Sequence, residues 1–168
     1  MTVRPLPCDA EHLRAAIDDP AALAARLGMA IAPGLIENEF REAFRSSQAE
    51  LTEHPERVGW STTFFVLDEG LVCGIGGFKG PPDENGSVEI GYSIAPGLRG
   101  QGLASAAAHE LVRTALADSR VRVVVAHTLA EPNASTRVLE KNGFRKIAEL
   151  IDPKEHDGPI WRWRLDRP

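Results

Sequence analysis

One stretch of the chain constrains the fold more than any other, because a strand, a glycine-rich loop, a helix and a second strand follow one another directly. Ser87–Ala95 has the pattern of a strand, which Pro96-Gly97 stops. A helix is predicted over Gly102–Asp118, where apolar side chains recur every four residues. Val121–Leu129 is nearly continuous in apolar residues, as a strand buried on both faces is. Such a unit is a right-handed crossover between parallel neighbours.

The segments around this unit predict further strands and helices. Thr62–Leu67 and Leu71–Phe78 are rich in β-branched and aromatic residues, and the turn signal Asp68-Glu69-Gly70 between them indicates a hairpin. The first third of the chain is interpreted as helical. We therefore expect one α/β (α+β) domain over residues 1–168, with a mixed sheet between helices. The other predicted elements are helices over Ala10–Ile17, Pro20–Leu27, Asn38–Glu53 and Ala134–Asn142, and strands over Phe144–Ile151 and Pro159–Asp166.

The composition argues against several classes of protein. The 168 residues carry 19 Lys and Arg against 24 Asp and Glu, a net charge of −5, whereas nucleic-acid-binding domains normally have a basic face. No apolar run approaches the roughly 18 residues that a membrane span needs. The two cysteines lie far apart and the five histidines are scattered, so we expect neither a disulfide framework nor a metal site. Two thiols without a signal peptide favour a cytoplasmic location.

The loop Arg99-Gly100-Gln101-Gly102-Leu103-Ala104 carries the sharpest chemical signal. Glycines let the backbone turn and leave amide hydrogens uncovered, and amides at a helix N-terminus attract anions. Arg99 adds a guanidinium that matches phosphate geometry, so a pyrophosphate is the expected ligand. The loop lacks the Lys and Ser or Thr of a Walker motif, and Ser105 stands where the dinucleotide fingerprint needs a third glycine. The alternative is a glycine turn that only precedes an ordinary helix.

Three motifs together resemble the GNAT superfamily of N-acetyltransferases. The loop fits the pattern of Arg or Gln, two residues, Gly, one residue, and Gly or Ala; E-I-G-Y-S-I-A-P precedes it and A-S-T-R-V-L-E-K-N-G-F follows it. Together they resemble the RimJ/RimL-like branch, the ribosomal-protein N-terminal acetyltransferases. The resemblance implies a mixed, mostly antiparallel sheet of about six to seven strands, splayed at its centre, with helices on both faces. It also implies acetyl-CoA as co-substrate and a primary amine, on a protein N-terminus or a small molecule, as acceptor.

The same resemblance implies which residues bind the co-substrate. The backbone of Ile94 and Ala95 would pair with the pantetheine arm. Asn133 would contact the arm, although it stands one residue away from the usual spacing, and its alternative role is a helix N-cap. The pyrophosphate would be wrapped by Arg99, Gly100, Gln101, Gly102, Leu103 and Ala104.

Two catalytic groups are expected. Many family members carry a tyrosine that protonates the leaving thiolate, but Leu139 occupies the matching position here. Ser135 is the candidate instead, with helix capping as its alternative role. Glu89 on the central strand is the candidate base, unless a neighbouring donor already satisfies it. An amide near Ile94 would meet the oxyanion by resemblance, and His127 is interpreted as a satisfied interior residue.

Other functions stay open at this point. A CoA-binding sensor or partner module without catalysis would explain the missing tyrosine at position 139 and the shifted Asn133. A different nucleotide-binding enzyme is disfavoured by the two failed fingerprints. Trp161 and Trp163 share one strand face; they would pack the end of the sheet, or else line an acceptor cleft or the seam of a homodimer.

Overall fold

The computed structural model describes residues 2–36, 40–151 and 158–168. The helices are α1 (Ala10–Asp18), α2 (Pro20–Leu27), α3 (Arg41–Glu53), α4 (Leu103–Leu116) and α5 (Ala134–Lys141). The strands are β1 (Val3–Pro7), β2 (Ala30–Ile31), β3 (Thr62–Leu67), β4 (Leu71–Phe78), β5 (Ser87–Ile94), β6 (Val123–Leu129), β7 (Arg145–Ile151) and β8 (Pro159–Asp166).

These strands form a mixed, mostly antiparallel sheet, which confirms the predicted fold class. The order is β1-β3-β4-β5-β6-β8-β7, and the two-residue β2 lies beside β4. Only β2 with β4 and β5 with β6 run parallel among the described pairs. The sheet has eight strands rather than the expected six to seven, because two short strands in the first third were not predicted.

The two unpredicted strands show where the sequence pattern was weak. β1 has the sequence V-R-P-L-P, and its prolines favour no strand in isolation. The strand occupies the edge of the sheet, where a proline without an amide hydrogen is tolerated, and it pairs antiparallel with β3. Helices α1 and α2 confirm the two short predicted helices. The long predicted helix is seen from Arg41 to Glu53, while its expected start at Asn38 lies outside the described residues.

The sheet opens in its middle. The parallel register of β5 and β6 joins Ser87–Glu89 to Val123–Val125 and ends there. β5 nevertheless continues to Ile94, paired on its other side with β4. Beyond Glu89, one side of the β5 backbone therefore faces a gap, as the resemblance implied.

Apolar side chains cover both faces of the sheet. On one face Val88, Ile90 and Ile94 pack with Leu103 and Leu111 of α4. On the other face α1, α2 and α3 pack on β3 and β4 through a second cluster that includes Leu13, Leu23, Phe44, Phe64 and Val72. The helices are amphipathic and the sheet is buried from both sides, so the open centre is held by rigid layers. No helix in the described ranges is long and apolar enough to cross a membrane.

The close approach of β4 and β5 gives a test of the fold. A side chain at Gly76 would clash with the Gly91 carbonyl oxygen and lie within 2.8 Å of the Tyr92 Cα, whereas a methyl at Gly91 meets nothing within 4 Å. Gly76→Ala is expected to lower the free energy of unfolding by about 1–3 kcal/mol, the usual cost of overpacking. Gly91→Ala, the matched control, is expected to stay within about 0.5 kcal/mol. Denaturant unfolding measures both; equal stability of the two variants would contradict the described pairing.

Candidate functional site

The glycine loop leads into α4, and no side chain caps the first turn of that helix. Gly100 and Gly102 have φ values of 76° and 81°, which glycine adopts at little cost. Gly102 is the N-cap of α4, and no side chain there accepts a hydrogen bond from the first turn. Arg99 Nε donates to the Ile94 carbonyl oxygen at 3.1 Å, which ties the guanidinium to the end of β5. The first amides of α4 and one cation therefore lie together, as an anion site requires.

A cleft of about 540 Å³ lies between this loop, the end of β5 and helix α5, and we call it the α5 cleft. It brings together most of the residues expected to bind the co-substrate. Four expected residues do not line it: Glu89, Ala95, Gln101 and Asn133. The expected residues that do line it are Ile94, Arg99, Gly100, Gly102, Leu103, Ala104 and Ser135.

The backbone at the end of β5 distinguishes Ile94 from Ala95. The Ala95 amide donates to the Cys73 carbonyl at 2.9 Å, so it is already used within the sheet. Because adjacent residues of a strand direct their amides to opposite sides, the Ile94 amide points toward the gap. Of the two expected residues, Ile94 is thus the one whose main chain faces the α5 cleft.

Asn133 has the capping role that the sequence left as an alternative. Its side-chain oxygen accepts from the Thr136 amide at 3.0 Å, and the Asn133 amide donates to Thr136 Oγ1 at 3.0 Å. This reciprocal pair is a capping box that begins α5. The side-chain oxygen of Asn133 therefore holds the helix that presents Ser135.

Ser135 meets a tyrosine that sequence reasoning missed. The Tyr92 hydroxyl lies 3.4 Å from Ser135 Oγ and 3.5 Å from the Ser135 carbonyl oxygen, and both residues line the α5 cleft. Burial raises the pKa of Tyr92 above its usual value, and the hydrogen bond with Ser135 opposes that rise, so the phenol keeps its proton at neutral pH. Leu139, the position at which the resemblance implies a tyrosine in many family members, is fully buried.

Two basic residues of α5 also line the α5 cleft and were not predicted. Arg137 and Lys141 are exposed and stand four residues apart, so they share one face of the helix. The four-residue spacing of two basic residues was the sequence signal that could have indicated them. It points to the α5 cleft only when the fold places α5 opposite the glycine loop.

The other face of β5 carries a hydrogen-bonded carboxylate. Glu89 Oε1 lies 2.7 Å from His127 Nδ1 and 3.3 Å from Lys79 Nζ. The Glu89 and His127 side chains are 25% and 19% exposed, so His127 is not a fully interior residue. The donor that the sequence analysis allowed for beside Glu89 is therefore present, and the three groups meet where the β5–β6 register ends.

A second, mostly apolar cleft of about 350 Å³ lies on the α3 side of β5, and we call it the α3 cleft. Tyr92 and Ser93 line both clefts, so the two spaces meet at β5. The remaining lining residues of the α3 cleft are Phe40, Ala43, Phe44, Ser47, Thr62, Ile75, Gly76, Gly77, Phe78, Lys79 and Gly91. Within the described ranges, no three His, Cys, Asp or Glu side chains are grouped to hold a metal ion.

Comparisons with solved structures show that other proteins share this fold. A chimera of the spermidine N-acetyltransferase SpeG from Vibrio cholerae and hSSAT aligns with a TM-score of 0.70 and 14% identity, covering 99% of this chain and 96% of that one. An acetyltransferase (GNAT family) from Bacillus anthracis aligns with a TM-score of 0.66 and 17% identity, covering 99% and 95%.

Sequence comparisons identify the family. The uncharacterized N-acetyltransferase YjdG of Bacillus subtilis (strain 168) is 31% identical over 108 residues. That alignment spans 64% of this chain and 64% of the relative, slightly less than two thirds of its length. Residues 1–145 match the family model described as acetyltransferase (GNAT) domain. Because that match covers most of the chain, this protein belongs to the GNAT acetyltransferase family.

Proposed function

We propose that this protein transfers an acetyl group from acetyl-CoA to a primary amine, as a RimJ/RimL-like member of its family. One observation carries the proposal: the α5 cleft runs from the uncapped first turn of α4 to Ser135 at the opening of the sheet. That shape suits an anionic group at one end and a reacting acyl group at the other. Family membership supports the same activity.

The residues of the α5 cleft fit coenzyme A. The first amides of α4, with Arg99 beside them, are the proposed pyrophosphate site. No atom lies within 4 Å of the position that a Cβ would take at Gly100 or Gly102, so a ligand can approach the backbone closely there. The Ile94 amide is the proposed donor to the thioester oxygen. Acetyl-CoA supplies the acetyl group as a reactive thioester.

The amine must lose its charge before it attacks. Deprotonating an ammonium with a pKa of about 10.4 costs roughly 4.5 kcal/mol at pH 7, and an α-amino group costs about 1 kcal/mol. We propose that the Glu89–His127 pair accepts the proton that the amine loses. With Nδ1 donating to Glu89, the imidazole has its lone pair on Nε2, and the carboxylate orients the ring. His127 thereby takes the catalytic role and Glu89 positions it.

The leaving sulfur also needs a proton. As the amine nitrogen bonds to the carbonyl carbon and the carbon–sulfur bond breaks, the electron pair leaves with the sulfur. Ser135 is the proposed donor, and the Tyr92 hydroxyl beside it replaces the proton. Tyr92 therefore supplies, from β5, the phenol that position 139 lacks.

The acceptor is a protein N-terminus or a small-molecule amine in this proposal. A homodimer remains a proposed assembly. The second candidate function is a CoA-binding module without catalysis, which is favoured by the buried Leu139 and by the use of Asn133 in helix capping. Turnover separates the two functions, because only the enzyme releases CoA in the presence of amine.

The activity can be tested by measuring release of free thiol from acetyl-CoA against a panel of primary amines. Both cysteines of the protein are fully buried, so they add little background to a thiol reagent. We expect amine-dependent turnover together with acetyl-CoA binding by calorimetry. Binding without turnover on any amine favours the non-catalytic module, and no binding contradicts both functions.

The matched variant for the binding site is Gly102→Asp, which adds a carboxylate at the first turn of α4. Asp tolerates a positive φ better than most residues, so the fold is expected to survive. Repulsion of the pyrophosphate is expected to weaken acetyl-CoA binding at least tenfold, or about 1.4 kcal/mol. Gly59→Asp adds the same charge at an exposed glycine with free space around it and should leave binding unchanged. Equal acetyl-CoA affinities for the two variants would contradict the assignment of the pyrophosphate site to the first turn of α4.

The proposed base is tested by Glu89→Gln and His127→Gln. Each variant is expected to lower kcat/KM by about 10²-fold or more, the usual contribution of a general base. Because the two residues act as a unit, the double variant should lose little more than either single variant. Steady-state kinetics measures the losses, with acetyl-CoA affinity as the control. Fully additive losses would mean that the two side chains act separately.

The proton source for the thiolate is tested by Ser135→Ala and Tyr92→Phe. Tyr92→Phe keeps the ring and removes only the hydroxyl that contacts Ser135, so we expect its melting temperature to equal that of the wild type. Each variant is expected to lower kcat by about tenfold or more while acetyl-CoA binds normally. A variant pair with wild-type kcat would show that sulfur leaves as the thiolate without help from this hydroxyl pair.

A further inference from the structure

The α3 cleft is placed to hold the acceptor, an inference that rests on the acetyl transfer proposed above. It lies across β5 from the α5 cleft and shares Tyr92 and Ser93 with it. An amine held there can reach an acetyl group at Ser135 through the gap beyond Glu89. Its volume of about 350 Å³ is near the lower limit for ligand pockets, which suits a small molecule.

The α3 cleft is lined mainly by apolar side chains. Phe44 of α3 and Phe40, the residue before that helix, face it from one side, and Ile75 and Phe78 of β4 from the other. Phe44, Ile75 and Phe78 are buried and fixed in place by the two cores. The nearby hydroxyls of Ser47 and Thr62 lie 3.2 Å apart in a hydrogen bond with each other. The cleft therefore binds apolar surface better than it binds polar groups.

The apolar lining of the α3 cleft works against a second ammonium group. Lys79 is the one charged side chain among the described residues that line it, and its Nζ lies 3.3 Å from Glu89 Oε1. A polyamine would bring a further ammonium group out of water against a mostly apolar lining, and the charged lining residue Lys79 is already ion-paired with Glu89. A single amine loses less, because an apolar site favours the neutral, nucleophilic form of the amine.

We propose that the acceptor is a small monoamine whose carbon part is apolar or aromatic, and not a polyamine. The amine nitrogen lies toward Ser93 and Lys79, where Lys79 Nζ is 3.3 Å from the Glu89 carboxylate that contacts His127, and the apolar part fills the space between α3 and β4. The neutral nitrogen bonds to the acetyl carbon and gives one proton to the Glu89–His127 pair, while the carbon–sulfur bond breaks and the sulfur takes a proton from Ser135 and leaves as the thiol of CoA.

The acceptor class is tested by comparing kcat/KM for phenylethylamine and hexylamine with that for spermidine, putrescine and a short peptide with N-terminal phenylalanine. We expect the two apolar monoamines to exceed the polyamines by at least tenfold and to exceed the peptide. Faster acetylation of spermidine or of the peptide would overturn the acceptor class while leaving the acetyltransferase activity intact. Acetyl-CoA binding without turnover on any of these amines would overturn the acetyltransferase function itself.

The position of the acceptor is tested by filling the cleft at Gly91. This glycine lines the α3 cleft, and a Cβ there would meet nothing within 4 Å, so a larger side chain enters the cleft without disturbing the backbone. Gly91→Leu is expected to raise the KM for hexylamine at least tenfold, with acetyl-CoA affinity and melting temperature unchanged. The control Gly59→Leu adds the same side chain at an exposed, open glycine and should leave KM at the wild-type value. An unchanged KM in Gly91→Leu would overturn the placement.

A change of specificity gives the complementary test. Ala43 is exposed on α3 and lines the α3 cleft, so Ala43→Asp adds the carboxylate that a polyamine needs. The ratio of kcat/KM for hexylamine to that for spermidine is expected to fall at least fivefold. An unchanged ratio would show that the acceptor does not touch this wall.

Discussion

The structure depends on the point at which two parallel strands stop pairing. β5 and β6 share three residues of register and then separate after Glu89, while β5 remains fixed to β4 as far as Ile94. A strand that loses one neighbour keeps main-chain donors and acceptors on that side, and these groups need a partner. The gap therefore offers an edge for an extended ligand in the middle of the sheet, and Ser93 beside it lines both clefts.

The alternation of side chains along β5 divides the proposed chemistry between the two faces of the sheet. Val88, Ile90 and Ile94 belong to the core beneath α4, and Tyr92, on the same side, reaches α5. The Glu89 side chain points the other way and contacts His127, and Gly91 lines the α3 cleft on that face. The eight-residue strand β5 thus presents on one face Tyr92, which supports the proposed proton donor Ser135, and on the other face Glu89, which positions the proposed base His127.

Local patterns made much of the fold predictable. The glycine loop, α4 and the strands around it were read from sequence because turn residues and periodicity are short-range signals. Residues far apart in the chain were paired only by the fold: Tyr92 and Ser135 are separated by 43 positions, and Glu89 and His127 by 38. The sequence indicated Glu89 and Ser135 as chemical groups, but not their partners. β1 escaped prediction because its pairing with β3, rather than its own proline-rich sequence, makes it a strand.

The burial of both cysteines has a consequence for a protein that would handle an activated acyl group. Cys73 precedes Gly74, which pairs with the cleft residue Ile94, and a reactive thiolate in this part of β4 would compete with the amine for acetyl. Burial raises the pKa of Cys73 and that of Cys8, so both stay as protonated thiols of low nucleophilicity. Both thiols are therefore expected to resist thioester exchange with acetyl-CoA.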